Sequence, residues 1–462
     1  MPDMESTGKN RSIPEVVKSQ EVFFRAGGTR LIEFRKTALR RLEESIQKNT
    51  DEFLSVLSQD LGKPEVEAYL AEIYFVLSEI RFTIKNLNRW AKARRVGNPF
   101  YFLPARSEVR QEPLGPSLVI APWNYPIQLS LSPLIAAVAA GNCVVLKPSE
   151  MAGASADLLA KIIRGAFDPA HVTVVQGGKE VVEELLTQPF KFIFYTGSGK
   201  VGKIIAKAAA EKLIPVVLEL GGKCPCIVGK DIDLVEAAER IIGGKFFNAG
   251  QTCMAPDFVL IPNEIRAAFV EKAEALLEEW YGKSGQENLA RIINANHFER
   301  IRNLVSGEVV EIGEDVPDKD WMAPRILPEA DWDDPVMQEE IFGPVLPVIA
   351  YDDLDELLER FTGKASPLAL YLFSRDEKFQ EKVIAAIPSG SVGINDTMKQ
   401  ATNLKLPFGG VGNSGMGRYR GEAGFEAFSY ARSITKRYLI KDVFAARPPY
   451  DGLLEKMRKI LK

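Results

Sequence analysis

Residues 190–204 read FKFIFYTGSGKVGKI: an aromatic and β-branched run, a glycine-rich turn, and the start of a helical pattern that continues through AKAAAEK. The run has the make-up of a buried strand, and the turn lies where ligands bind in sheets built of alternating strands and helices. It satisfies three templates in part. Gly197, Gly199 and Gly202 match GxGxxG, and Glu219 ends the next apolar run, near where a dinucleotide-binding unit carries its ribose-binding acid. Gly197, Gly202 and Lys203 also match GxxxxGK of a phosphate-binding loop, but Ile204 stands where that loop needs a hydroxyl for magnesium, which argues against ATPase chemistry. The third reading is a tight turn that binds nothing.

Working outward, the same rhythm repeats on both sides. SLVIAPW, CVVLKP, VTVVQG, FKFIFYTG and PVVLELGG alternate with helical stretches such as ADLLAKIIRGAF, the sequence form of a parallel sheet wrapped by helices. A second alternation runs from CPCIVG through FVLIP and VLPVIAY to SVGIN, so two α/β domains are predicted. Residues 13–93 show apolar residues at helical spacing among charges and predict amphipathic helices. Residues 98–113, NPFYFLPARSEVRQEP, break that rhythm and predict an extended arm or hairpin, with a further strand near residues 433–440.

With 462 residues, 46% hydrophobic and 26% charged, and a formal net charge of -4, the chain has the profile of a globular protein with large cores. No basic excess points to nucleic acid. The most apolar stretch, LSLSPLIAAVAAGNCVVLKP at 129–148, contains Ser130, Ser132, Pro133, Gly141 and Asn142, and reads as a buried helix and strand, not an integral membrane segment. The start, MPDMESTGKN, lacks the apolar segment of a secretory signal. Four cysteines and two histidines offer neither a disulfide framework nor a metal site, and a cytoplasmic setting is expected.

One cysteine stands apart. In FFNAGQTCMAPDF, residues 246–258, Cys253 follows small and polar residues, whereas Cys143, Cys224 and Cys226 lie in strand-like apolar contexts and receive no role. Cys253 is either a small buried hydrophobe or a nucleophile, and a lone cysteine does not decide between them.

Five stretches, taken together, carry a resemblance. PWNYP (122–126), KPSE (147–150), LELGGK (218–223), FNAGQTC (247–253) and EIFGPV (340–345) resemble the aldehyde dehydrogenase superfamily in order and separation across almost the whole chain. GQTCMAPDF, GVGNSGMGRYRG (410–421) and the late PPY (448–450) place the resemblance closest to its class 3 branch. The resemblance implies NAD(P)-dependent oxidation of aldehydes, medium or long-chain aliphatic or aromatic ones, to carboxylic acids. It implies an aldehyde dehydrogenase-like α/β fold: a Rossmann-like cofactor domain (1–97 and 114–220), a catalytic domain (221–425), a small β oligomerisation arm (98–113 and 430–442) and a C-terminal tail (443–462). A homodimer is expected.

By the same resemblance Cys253 is the nucleophile, the Asn124 side chain and the Cys253 N–H stabilise the oxyanion, and Glu219 activates water. Lys147 and Glu150 hold the adenosine ribose, and Gly197, Ser198 and Gly202 form an altered nucleotide loop, with Ser198 facing the pyrophosphate. Glu340 holds the nicotinamide ribose with Phe342 near the ring, and Tyr125 lines an apolar substrate channel. Two alternatives stay open: a relative that hands the acyl group to coenzyme A, and a catalytically silent binding protein. Relatives of the first kind commonly lack the acid at the position of Glu219, and the second would have lost Cys253, Asn124 or Glu219.

Overall fold

The computed structural model describes residues 11–282, 285–439 and 447–461. The chain enters through helices α1 (Ile13–Arg25), α2 (Ile32–Lys48), α3 (Thr50–Leu61), α4 (Glu65–Ala68) and α5 (Phe75–Trp90), with a π-helical turn, Tyr69–Tyr74, between the last two. Strands β1 (Arg94–Val96) and β2 (Ala105–Pro113) follow. Then comes the first alternation: β3 (Ser117–Ile120), α6 (Gln128–Ala140), β4 (Val144–Lys147), α7 (Gly153–Ala166), β5 (Val172–Val174), α8 (Lys179–Thr187), β6 (Phe192–Thr196), α9 (Gly199–Ala210) and β7 (Val216–Glu219).

The β3–β7 strands pair in parallel in the order β7-β6-β3-β4-β5. The inner strands β3, β4 and β6 are buried on both faces, which is why each reads as a continuous apolar run, whereas Thr173 and Val174 of the edge strand β5 are partly exposed. On β6, Phe192 and Phe194 face one core, and Ile193 and Tyr195 face the other with α1, α8 and α9. The chain steps from β3 outward to β5, then returns to place β6 on the opposite side of β3, so the carboxyl ends of β3 and β6 flank a crevice.

The second sheet comprises β8 (Pro225–Val228), β9 (Phe258–Pro262), β10 (Val310–Glu311), β11 (Arg325–Leu327), β12 (Val345–Tyr351), β13 (Ala369–Phe373) and β14 (Ser391–Ile394), in the order β10-β11-β12-β9-β8-β13-β14. Helix α10 (Leu234–Phe246) leads from β8 toward the Cys253 turn. β15 (Gly415–Met416) and β16 (Ser429–Arg437) complete the strands. None of the described helices is long and apolar enough to cross a membrane.

The structure redraws three boundaries. The three-stranded antiparallel sheet β1-β2-β16 begins at Arg94, within the stretch expected to belong wholly to the first unit, because Arg94–Val96 pairs with β2 from Val109 to Ser107. Its last strand spans Ser429–Arg437; of the range expected for it, residues 440–442 lie outside the described residues, as do 1–10 of the first unit and 443–446 and 462 of the tail. Residues 415–416, expected with the second unit, instead pair antiparallel with β7, Gly415 opposite Glu219, and the following helix Gly421–Ala427 packs on α5 and α6. A glycine-rich stretch has no periodicity, so its destination cannot be read from its pattern. β13 was missed because ALYLF is only a short apolar run without alternation.

Gly202 shows what the glycine turn does for packing. A β-carbon there would lie 2.7 Å from Leu220 Cδ2, so the first turn of α9 approaches the end of β7 only because the side chain is absent. Gly202→Val is expected to lower stability by about 1–3 kcal/mol through overpacking beside Glu219. Urea denaturation checks this; an unchanged midpoint would contradict it.

Candidate active site

The small residues before Cys253 build a strained turn. Asn248, Ala249 and Gly250 have successive positive φ angles of 54°, 52° and 71°. Such a run persists only where its surroundings over-determine it. Asn248 N donates to Glu67 Oε2 at 2.8 Å, and Asn248 Nδ2 to the carbonyls of Asn124 and Gln251, each at 3.1 Å. Gln251 is buried, with its amide donating to the carbonyls of Asn248 and Arg291 and accepting from Ile293 N. A β-carbon on Gly250 would fall 2.2 Å from Gly343 O, so this turn and the EIFGPV loop touch backbone to backbone.

Asn124 follows β3 at the crevice and is buried. Its Nδ2 donates to Gln251 O at 3.0 Å, which leaves the second N–H of the same amide for a ligand. Its carbonyl is held by Lys63 Nζ at 3.0 Å. Lys63 is fully buried and paired with Glu72 at 2.5 Å, and the other Glu72 oxygen accepts from Ile127 N and Gln128 N, capping α6. Tyr125 lies 4.2 Å beneath the Lys63 ammonium and shares a 2.6 Å hydrogen bond with Thr252 Oγ1. At 6% exposure, Tyr125 braces the residue next to Cys253.

Glu219 ends β7, and the turn after it leads within six residues into β8. A β-carbon on Gly221 would lie 1.9 Å from Glu340 Oε2, so LELGGK admits the Glu340 carboxylate only because of that glycine. Lys223 bonds Asp257 and donates to the carbonyls of Val336 (2.8 Å) and Glu339 (2.9 Å). Asp257 Oδ1 accepts from Ile341 N at 3.0 Å, and Arg300 donates to the carbonyls of Glu340 and Ile341. These ties hold Phe342 at φ 51°, its ring edge-on to Trp123 at 5.4 Å, with His297 5.3 Å from the same indole.

Cys253 is partly exposed, unlike the other three cysteines. Burial pushes its thiol up to about 12, and the nearby Glu340 and Glu219 add to the rise against Arg420. Burial also lifts Glu219 well above the ordinary carboxylate range, opposed by Arg420 and Arg418. Neither Glu219 oxygen receives a hydrogen bond from the described residues. Burial, with Asp257 alongside, pushes Glu340 up to about 8, against the Gly222 N–H, Lys223 and Arg300.

The remaining residues singled out in the sequence lie along the same crevice. Lys147 is the last residue of β4, buried and bonded to the half-exposed Glu150. Gly197 packs so closely on Tyr195 that a β-carbon would lie 2.4 Å from the phenol oxygen. Ser198 caps α9, and nothing lies near the β-carbon position of Gly199, leaving that helix N-terminus open. The buried hydroxyl of Thr196 beside it has no partner among the described residues. An open helix N-terminus, an unpartnered buried hydroxyl and a lysine at a strand end fit a dinucleotide.

Reading the sequence missed Lys63, Glu67, Glu72, Gln251 and Asp257, which hold the site without entering it. The first three sit among charges at helical spacing that look like a solvated face. Cys224, given no role, donates from Sγ to Cys253 O at 3.5 Å and so lies under the turn.

The profile of the aldehyde dehydrogenase family matches residues 6–434. The chain is 40% identical over 447 residues to the 4,4'-diaponeurosporen-aldehyde dehydrogenase of Staphylococcus aureus, covering 96% of this chain and 97% of that protein. It is 44% identical over 442 residues to the dimeric NADP-preferring aldehyde dehydrogenase of Rattus norvegicus, covering 95% and 98%. The solved substrate-bound state of Staphylococcus aureus AldH superposes with a TM-score of 0.95 at 39% identity, over 98% of this chain and all of that one.

The raised thiol has a direct consequence in the cofactor-free protein. Alkylation of Cys253 by iodoacetamide, followed by peptide mass spectrometry, is expected to quicken about tenfold per pH unit between about pH 7 and 10, because thiolate is the reactive form and its fraction climbs with pH below the pKa. A rate that levels off below about pH 8 would contradict the geometry.

Proposed function

The chain belongs to the aldehyde dehydrogenase family, with class 3 enzymes among its relatives, and oxidises aldehydes with NAD or NADP; from that premise we propose that it works through Cys253, Asn124 and Glu219 and releases carboxylic acids to water. The observation that carries this reading is the meeting of three distant segments. The Asn124 amide is bonded to the backbone two residues before Cys253, and Glu219, whose oxygens accept no hydrogen bond from the described residues, lies close enough to Cys253 to raise its thiol.

In this mechanism the Cys253 thiol gives its proton to solvent, the thiolate attacks the carbonyl carbon, and a C–S bond forms as the C=O electron pair moves onto the oxygen, which takes up negative charge. The free N–H of the Asn124 amide and the Cys253 backbone N–H stabilise that oxyanion. NAD(P), when bound, would supply the hydride acceptor that oxidation of the thiohemiacetal to a thioester requires. Glu219 then takes a proton from water as its oxygen attacks the thioester carbon, the C–S bond breaks, and the acid leaves. Lys147 and Glu150 would hold the adenosine ribose, Gly197, Ser198 and Gly202 the pyrophosphate at the start of α9, and Glu340 the second ribose, with Phe342 beside the ring.

The unit built on β3–β7 is assigned to the cofactor, the β8–β14 unit to catalysis, and the sheet β1-β2-β16 to dimerisation. Supporting a homodimer, β16 is a nine-residue edge strand exposed along most of its length, and the rat relative is named dimeric. A cytoplasmic location agrees with four free thiols. For the substrate, medium to long aliphatic or aromatic aldehydes are favoured. Val66, Tyr69, Leu70 and Tyr74 form an exposed apolar stripe on the segment whose Glu67 grips the Cys253 turn, Tyr125 lies beneath that turn, and the staphylococcal relative is named a 4,4'-diaponeurosporen-aldehyde dehydrogenase.

Glu219→Gln separates acylation from hydrolysis. In rapid mixing, the variant is expected to produce NAD(P)H in a burst equal to the active-site concentration, followed by a nearly flat steady state with unchanged cofactor Kd. Normal turnover at saturation with a raised cofactor Kd would instead make Glu219 a ribose ligand, as in an ordinary GxGxxG unit.

A further inference from the structure

In GMGRYRGEAG an arginine among glycines looks like a solvated loop residue, yet Arg420 is buried, at 5% exposure, with φ +74°. Its guanidinium carbon lies 4.1 Å from the Phe408 ring centroid, 4.8 Å from that of Phe75 and 5.5 Å from that of Tyr419. One terminal nitrogen, Nη1, donates to Ala401 O, and Nε has no hydrogen-bond partner among the described residues. The cation is therefore held in an aromatic box that confines it while leaving its charge largely unspent.

Two buried carboxylates lie within its field. Glu79 on α5 accepts from Ser132 Oγ at 2.5 Å and from the Gly421 N–H, so it is fixed against the residue next to Arg420. The other is Glu219, whose Oε1 lies 3.0 Å from the point where a Gly409 side chain would begin, one residue on from the Phe408 ring that stacks on Arg420. The charged and titratable groups that face Glu219 are Arg420, Arg418, Tyr419 and Cys253. Arg418 approaches from the far side: its Cδ and Glu219 Oε1 both lie within 3.0 Å of the point where a Gly409 side chain would begin. Its guanidinium, however, is engaged by the carbonyls of Gly410 and Gly417, and the residue is partly exposed, so solvent reaches it more readily than the buried Arg420. Arg420 acts through a dry aromatic interior, where a charge reaches further.

We propose that Arg420 is a positioning residue for hydrolysis: shared between Glu79 and Glu219 and locked in the Phe75, Phe408 and Tyr419 box, it is the counter-charge that keeps Glu219 able to accept a proton where no protein donor stabilises the carboxylate. The inference rests on Glu219 being the base. A buried carboxyl without donors or a counter-ion stays protonated, and a protonated carboxyl cannot take a proton from water. Arginine suits the task because its guanidinium remains charged when buried, as an amine need not. The same cation also favours the Cys253 thiolate, so one residue serves both half-reactions.

The test is the pH dependence of thioester hydrolysis, measured by rapid quench in a single turnover with stoichiometric aldehyde and NAD(P). Arg420→Met fills the aromatic box with an apolar chain, and Arg420→Gln provides a second neutral variant should the first fail to fold; cofactor Kd and thermal melts verify each. Removing the charge is expected to move the acid limb of hydrolysis upward by about 1–3 pH units. Arg420→Lys, whose amine keeps only part of the charge when buried, should move the limb by less than either neutral variant even if its plateau falls. An unmoved limb in both neutral variants, with only a lower plateau, assigns Arg420 a purely structural role and overturns the proposal. Glu219→Gln in parallel distinguishes the two failures. Normal hydrolysis by that variant removes the base itself and this inference with it, whereas a stalled thioester alongside an unmoved Arg420→Met limb overturns the inference alone.

Discussion

The site depends on the turn that joins the two large sheets. β7 ends at Glu219 and β8 begins at Pro225, so the chain passes from the nucleotide crevice into the second sheet within six residues. Every residue of that turn is committed. Gly221 makes room for the Glu340 carboxylate, Lys223 ties Asp257 to the backbone before Glu340, and Cys224 gives its carbonyl to Asp257 N and its thiol to Cys253 O. From the other side β15 pairs with β7, and Gly409 lets the glycine-rich return strand lie against Glu219. The positions of the nucleophile, the base and the Glu340 loop are thus set by glycines that leave no room for a side chain and by buried and part-buried side chains tied to backbone carbonyls. Such contacts transmit position better than flexible side chains do.

Electrostatics sets the second constraint. Glu219, Glu340 and the Cys253 thiol share one interior, and each ionisation makes the next harder. The cations nearby are differently employed. Lys223 is engaged by Asp257 and two carbonyls, and Arg300 by Glu339 and the backbone after it. Arg420 alone of these has its charge shared between carboxylates through aromatic walls. The resting site is therefore one in which a neutral thiol is the expected state, and substrate and cofactor must arrive before the chemistry begins.

Much of this was legible in the sequence because the strands are short, doubly buried and apolar, and because glycine turns mark their carboxyl ends. PWNYP, KPSE, TGSG and LELGG each follow a strand of one parallel sheet, so naming the strands placed four motifs at one crevice. What stayed hidden was carried by residues whose burial contradicts their chemistry. Lys63, in the link between α3 and α4, and Glu72, in the π-helical turn, are fully buried ions in a stretch whose charge pattern reads as solvated surface, and that turn shifts the register on which the pattern relies. Arg420 was invisible for the same reason: Phe408, Met416, Arg418 and Tyr419 among the glycines point to an ordered loop, but nothing in that stretch shows that its second arginine is buried. The strained turn at Asn248 and Ala249 could not be read either, because its φ angles are imposed by Glu67 and Gln251 from distant parts of the chain.

The central claim is that this arrangement makes Cys253, and not the neighbouring Cys224, the covalent carrier of the substrate. It is tested most directly by locating the acyl group. A slowly hydrolysing acyl-enzyme formed from aldehyde and NAD(P), quenched in acid and digested at low pH, is to be mapped by tandem mass spectrometry. The account predicts a mass increase equal to the acyl group on the peptide containing Cys253 at close to one equivalent, with Cys143, Cys224 and Cys226 unmodified. Acylation of Cys224, or full turnover with no adduct at Cys253, would contradict it.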